Sequence, residues 1–177
     1  MGNKIMSKVL FLDIDGILNS NSWNDRHQTH IRDGILIDAE KLRLLALLVK
    51  KTDSEIILHS GLRFWFDTEL KPLCTETEKL SELLEKENLY ISGVTPDLTT
   101  EEIRKTKKFS LVKADEILLW LNLHNSVTNW AVLDDLDLHN AQIRQHQIKT
   151  NPAIGLTLEN VRQAAKILSM ESASIVI

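Results

Sequence analysis

The stretch Lys8-Val-Leu-Phe-Leu-Asp-Ile-Asp-Gly-Ile-Leu-Asn19 decides how the rest of the chain reads. The bulky apolar residues Val9, Leu10, Phe11 and Leu12 lead directly into two aspartates one residue apart, followed by Gly16. Such a run suits a strand buried on both faces, as in a parallel sheet covered by helices. Strand side chains alternate, so Asp13 and Asp15 project the same way from the carboxyl end. Gly16 lets the chain turn away without a side chain blocking the space in front of them. Two converging carboxylates repel unless a proton or a cation intervenes. A hard cation that takes oxygen ligands, such as Mg²⁺, resolves that repulsion.

Length and composition set the outer bounds. A chain of 177 residues is expected to form a single domain over 1–177, with its core over about 8–170. Lys and Arg number 21 against 25 Asp and Glu, a mildly acidic balance that argues against bulk electrostatic binding of nucleic acid. A local basic patch could still hold a phosphate backbone. The single cysteine, Cys74, excludes an intrachain disulfide, reads as a packing thiol and fits a reducing cytoplasm. Residues 1–7 are too short and polar for a signal peptide, and Met6 stands where a myristoylation pattern at Gly2 needs Ser or Thr. Met6 is also an alternative start. No stretch reaches membrane-spanning length, so a soluble, cytoplasmic protein without a membrane partner is expected. Oligomeric state is not legible.

Along the chain, residues 19–34 are polar, carry Trp23, His27 and His30, and lack apolar periodicity. They read as a long loop, either a flap over the site or a surface loop whose Trp23 packs on the core. Residues 38–51 read as a helix with Leu42, Leu45, Leu48 and Val49 on one face. Residues 54–60 read as a second strand ending at Ser60, which a right-handed βαβ unit sets beside the first. Short helices are expected over 62–70 and 75–86, and a third strand over 88–94. The basic string Arg104-Lys-Thr-Lys-Lys108 is either a solvated face or a phosphate-backbone contact. Ser110 is expected to cap a helix over 111–121, with Phe109 as its hydrophobic staple. Lys113 then falls in a first turn where the helix dipole disfavours a cation. That placement gains a purpose if Lys113 faces a phosphate and the carboxylates. Residues 129–135, Asn-Trp-Ala-Val-Leu-Asp-Asp, are a second apolar strand ending in acids, Asp134 and Asp135, with Asp137 close behind. Adjacent strand residues point to opposite sides, so these two share a role only if the strand has already ended. An edge strand over 147–150 and a Thr157-capped helix to about Met170 complete the chain.

The Asp-Ile-Asp-Gly motif, Ser60, Lys113 and the Asp134-Asp135 pair, in that order, resemble the four motifs of haloacid-dehalogenase-like (HAD) phosphohydrolases. The resemblance covers about residues 8–170. Within that superfamily the chain looks most like the HAD domain of Swiss-Army-Knife RNA-repair proteins. The likeness is carried by residues 11–19, Ser60 with Arg63, residues 116–121, Leu133-Asp-Asp135 and Gly155-Leu-Thr157. That branch tends to carry Ser-Ser-x-Trp-Arg where this chain has His59-Ser60-Gly61-Leu62-Arg63. His59 and Gly61 are the departures that bear on phosphate holding, and His59 is either a pocket group or a packed strand histidine. The implied fold is α/β, a three-layer Rossmann-like arrangement with a central parallel sheet of about five strands, helices on both faces and no large cap domain. A flap is implied over about 19–34.

The resemblance also implies a mechanism. Asp13 would be the nucleophile, forming an aspartyl-phosphate, and Asp15 the general acid and base. Mg²⁺ would be held by Asp13, the Asp15 backbone carbonyl and Asp134. Ser60 and Lys113 would bind the phosphoryl group, with Lys107 and Lys108 as rivals to Lys113. Asp135 would act from behind, through water or by orienting Lys113. Three functions stay open: a phosphatase acting on a small phosphate ester, one acting on nucleic-acid ends, and a catalytically silent binding or scaffold module.

Overall fold

The computed structural model describes residues 7–170; the readings made at Gly2 and Met6 lie outside the described residues, as do residues 171–177. The strands are β1 (Lys8–Leu12), β2 (Glu55–Leu58), β3 (Ile91–Val94), β4 (Asn129–Asp134) and β5 (Gln147–Lys149). The helices are α1 (Asn21–Arg26), α2 (Gln28–Arg32), α3 (Ala39–Thr52), α4 (Thr75–Lys86), α5 (Glu101–Thr106), α6 (Ser110–Leu123), α7 (Ala141–Arg144) and α8 (Leu158–Leu168). All strand pairs are parallel and the sheet order is β3-β2-β1-β4-β5. The three-layer Rossmann-like α/β fold is therefore present, with β1 at the centre and the strand order reversing beside it.

Period two sorts the layers. Leu10 and Leu12 of β1 pack with Leu45 and Leu48 of α3, Leu84 of α4 and Val161 and Ala164 of α8. Val9 and Phe11 turn to the other face, against Ala114, Ile117 and Trp120 of α6 and Ile143 of α7. Burial on both faces explains why β1 is a continuous apolar run rather than an alternating one. The same parity carries past the strand ends. Asp13 follows Val9 and Phe11, Asp134 follows Val132, and His59 follows Ile57, so all three belong to the face covered by α6.

Four local readings are corrected. Residues 19–34 are not a loop but α1 and α2; the Ser20 hydroxyl accepts the Trp23 N–H at 3.1 Å, and Trp23 is buried, stacked on His27 at 4.5 Å. Two turns this short bury a single indole rather than a stripe, which is why periodicity misses them. The short helix read over 62–70 is a 3₁₀ turn over Gly61–Trp65; Phe66 then bridges to Pro72, and the Asp67 carboxylate accepts the N–H groups of Glu69 and Lys71. That side-chain turn competes with helix, and Pro72 closes off its continuation. Ser110 is not the cap of α6: Phe109 occupies that position in helical conformation, without a side-chain cap bond. Phe109 is not a staple either, since it is exposed.

Among the described residues, no helix is long and apolar enough to cross a membrane.

Candidate active site

The carboxyl ends of β1, β2 and β4 meet below the first turn of α6. Backbone pairing holds their continuations together: the Asp13 N–H donates to the Leu133 carbonyl and the His59 N–H to the Leu12 carbonyl, both at 3.0 Å. The buried stripe of α6 contains Lys113, Ala114, Glu116, Ile117 and Trp120, so it lowers two charged side chains into the protein along with its apolar ones. Neither charge is isolated. Lys113 Nζ donates to Asp13 Oδ2 at 2.8 Å and to Asp134 Oδ2 at 2.7 Å. Glu116 Oε2 accepts from Arg63 Nη2 at 2.9 Å, and its Oε1 accepts the Leu98 N–H at 3.0 Å. Both pairs are almost fully buried, the setting in which a charge left without its partner is costly.

Each acid has a distinct environment. Asp13 Oδ1 accepts the Ile14 N–H at 2.8 Å, and Asp134 Oδ1 accepts the Leu136 N–H at 2.8 Å. Because β4 ends at Asp134, the chain turns there and Asp135 swings back to the same side. Oxygens of Asp13, Asp134 and Asp135 then lie within 4.8 Å of one another. Burial works to raise the Asp134 carboxyl, but His59 and the Lys113 ammonium reverse this and hold it below the usual carboxylate range. Burial would likewise lower Lys113, yet Asp13 and Asp134 outweigh it and raise it, keeping the ammonium charged. Asp135 is pushed up to about 6 by burial and by the charges of Asp134 and Asp13. One ammonium thus faces three carboxylates. The excess negative charge and the all-oxygen donor set fit a hard divalent ion such as Mg²⁺.

Asp15 is exposed at the rim, outside this trio, and Asn19 Nδ2 donates to its Oδ1 at 3.0 Å. Asn19 is a positioning residue that sequence reasoning missed. Its Oδ1 also accepts the Gly16 N–H and its Nδ2 reaches the Leu36 carbonyl, so one buried amide fixes the whole turn. Its signal was its place at the end of the opening motif. The turn is braced from just beyond β5 as well, where Thr150 Oγ1 donates to the Gly16 carbonyl at 2.7 Å.

Ser60 is buried; its Oγ accepts the Leu62 N–H at 3.3 Å, which leaves its own O–H to donate. Arg63 Nη1 donates to the carbonyls of His59 and Ser60, so Arg63 and Glu116 strap the Ser60 turn to α6. His59 is fully buried; its Nε2 stands 3.0 Å from Asp134 Oδ2, without the alignment of a hydrogen bond. Lys107 and Lys108 are exposed, and Asp137 bonds the His139 N–H away from the trio. His27 and His30 pack with Trp23 within residues 19–34.

Above the carboxylates lies a cavity of about 500 Å³, with Asp13, Asp15, Lys113, Asp135, Arg63 and Glu116 in its lining. Gly61, rather than Ser60, represents its turn there, and no residue of 19–34 contributes.

The model of the family described as the HAD domain in Swiss Army Knife RNA repair proteins matches residues 9–161, and the chain belongs to that family. No curated protein and no solved structure gives a match. HAD domains are in general phosphohydrolases that use Mg²⁺, and the Asp13, Asp134 and Asp135 cluster here is one that could bind such an ion.

Two outcomes follow from this geometry. Gly16 has a φ of +72°, and a Cβ on it would stand 2.7 Å from Asp135 Cγ. Gly16→Ala is therefore expected to cost more than about 1 kcal/mol in urea unfolding and to weaken Mg²⁺ binding measured by calorimetry. Gly61→Ala, where a Cβ meets nothing within 4 Å, stays within about 0.5 kcal/mol of the parent. The second outcome concerns pH. Asp135 titrates at about 6 when folded, against an ordinary 3.8, so between these values the folded chain keeps a proton that the unfolded chain has lost. Without added metal, its contribution to stability falls as pH rises through that window, and Asp135→Asn flattens that part of the pH profile.

Proposed function

We propose that the protein is a Mg²⁺-dependent phosphomonoester hydrolase working through an aspartyl-phosphate. One observation carries this reading: Lys113 Nζ bridges Asp13 and Asp134 at the floor of a cavity whose rim holds Asp15. A nucleophile needs to be fixed yet reachable. Asp13 is held by the Ile14 N–H and Lys113 and still lines the cavity. A general acid needs access to the leaving oxygen and to water, and Asp15 is exposed on a turn held by Asn19.

In this mechanism the Asp13 carboxylate attacks phosphorus in line, the bond from phosphorus to the leaving oxygen breaks, and Asp15 protonates that oxygen. Asp15 then takes a proton from water as the water attacks phosphorus, releasing inorganic phosphate and restoring Asp13. Lys113 donates to phosphoryl oxygens as their charge develops, and the Ser60 hydroxyl, free to donate but set behind Gly61 in the lining, is the second donor of this reading. Asp13, Asp134, Asp135 and the Asp15 carbonyl would hold Mg²⁺, which when bound supplies neutralisation of phosphoryl charge. Asp135 is thereby promoted from the supporting position expected of it to a ligand candidate. Lys113 is preferred over Lys107 and Lys108 because it alone of the three lines the cavity. The family description favours nucleic-acid ends as the physiological phosphate esters.

The test is hydrolysis of a generic aryl phosphate with Mg²⁺ or with chelator. Turnover is expected only with Mg²⁺, absent in Asp13→Asn and lowered about 10²- to 10⁴-fold in Asp15→Asn. Equal turnover in chelator, or an active Asp13→Asn, would contradict the mechanism. A protein that binds Mg²⁺ and phosphate but turns over no ester would instead be the silent binding module.

A further inference from the structure

The lining of the cavity over the carboxylates includes apolar side chains that the phosphoryl chemistry does not use. They are Phe64 from the 3₁₀ turn after β2, Phe109 and Val112 at the start of α6, and Leu136 beyond β4. Phe64, Phe109 and Leu136 remain 47%, 43% and 40% exposed, although they come from three separate segments. Single exposed apolar residues are ordinary, but three converging on one concavity next to charged catalytic groups mark a binding surface. Phe109 is especially telling, because its place before α6 would suit a staple, yet it is left open to the cavity. Phe64 is backed by Arg63, whose guanidinium carbon sits 4.3 Å from the ring centroid. That contact holds the ring in place and reduces the ordering needed on binding.

Charge narrows the ligand. Three cations line the cavity, and each already has a carboxylate partner: Lys113 with Asp13 and Asp134, Arg63 with Glu116, and Arg104 with Asp97 at 2.8 Å. Of the basic string 104–108, only Arg104 reaches the lining. The walls therefore offer apolar surface and no unengaged cation for a second phosphate.

We infer that this apolar lining forms a leaving-group subsite for a flat, uncharged ring, so that the preferred substrates are phosphomonoesters whose alcohol carries such a ring beside the phosphate. An aryl alcohol and a terminal nucleoside share that chemistry. The inference rests on the hydrolase reading for its reaction, but the subsite itself can be tested by binding alone.

The first arm is calorimetry, in Mg²⁺, of the non-hydrolysable 2-naphthylphosphonate and methylphosphonate. The naphthyl compound is expected to bind about tenfold or more tightly, with the ratio falling toward unity in Phe64→Ala and in Phe109→Ala. These variants lie on separate segments, and the wild-type ratio needs neither of them. Equal affinity of the two phosphonates for the wild type overturns the subsite, as does a naphthyl preference that survives both substitutions. The second arm compares kcat/KM for naphthyl phosphate, a 5′-mononucleotide, a 5′-phosphorylated trinucleotide and glycerol phosphate. The three ring-bearing esters should all exceed glycerol phosphate. If only the trinucleotide does, the site recognises a chain rather than a ring, and the inference fails. Ring-selective binding with no turnover of any ester would leave the subsite standing and sink the hydrolase reading.

Discussion

Everything at this site depends on one electrostatic constraint: three carboxylates at neighbouring strand ends share a single buried ammonium. Parallel pairing of β1 with β4 brings Asp13 and Asp134 side by side, and the end of β4 adds Asp135. A buried charge persists only with partners, so α6 must deliver Lys113 to within hydrogen-bond reach of two of the acids. Burial and the charges of Asp134 and Asp13 raise Asp135, whereas His59 and the Lys113 ammonium hold Asp134 low. A fold without chemistry to perform would gain by replacing such a cluster with apolar side chains. The cluster's charge and geometry are those that a divalent cation could complete.

A second pair guards the geometry of the first. Glu116 lies one turn beyond Lys113 on the same buried stripe, and its partner Arg63 grips the carbonyls of His59 and Ser60. The Leu98 N–H closes on the other Glu116 oxygen, tying in the segment that leads to α5. The loops after β2 and β3 are thus fastened to the helix that carries the lysine. In the same way Asn19 and Thr150 fasten the turn after β1. Asp15 can remain exposed at the rim because the turn beneath it is held by buried hydrogen bonds.

The parts legible in the sequence were those written in strand parity and topology. Val9 to Leu12 and Ala131 to Leu133 are apolar runs that suit a two-sided parallel sheet, and their acidic ends lie where the strand order reverses. Lys113 was legible because a cation in a helix's first turn runs against the dipole. What stayed hidden depended on contacts distant in sequence. No local rule pairs Arg63 with Glu116 across 53 residues. Nor could spacing show that residues 19–34 fold into short helices around Trp23, or that Phe109 faces a cavity instead of stapling α6. Asp135 was ambiguous for a definable reason: one residue of strand length decides which way it points.

The most direct measurement is to locate the phosphoryl group on the protein. Asp15→Asn, mixed with an aryl phosphate and Mg²⁺ and quenched in acid, should carry one phosphoryl group, and peptide mapping after borohydride reduction should place it at Asp13. A phosphoryl group at any other residue, or turnover by the parent enzyme without any trapped acyl-phosphate in this variant, would contradict the account.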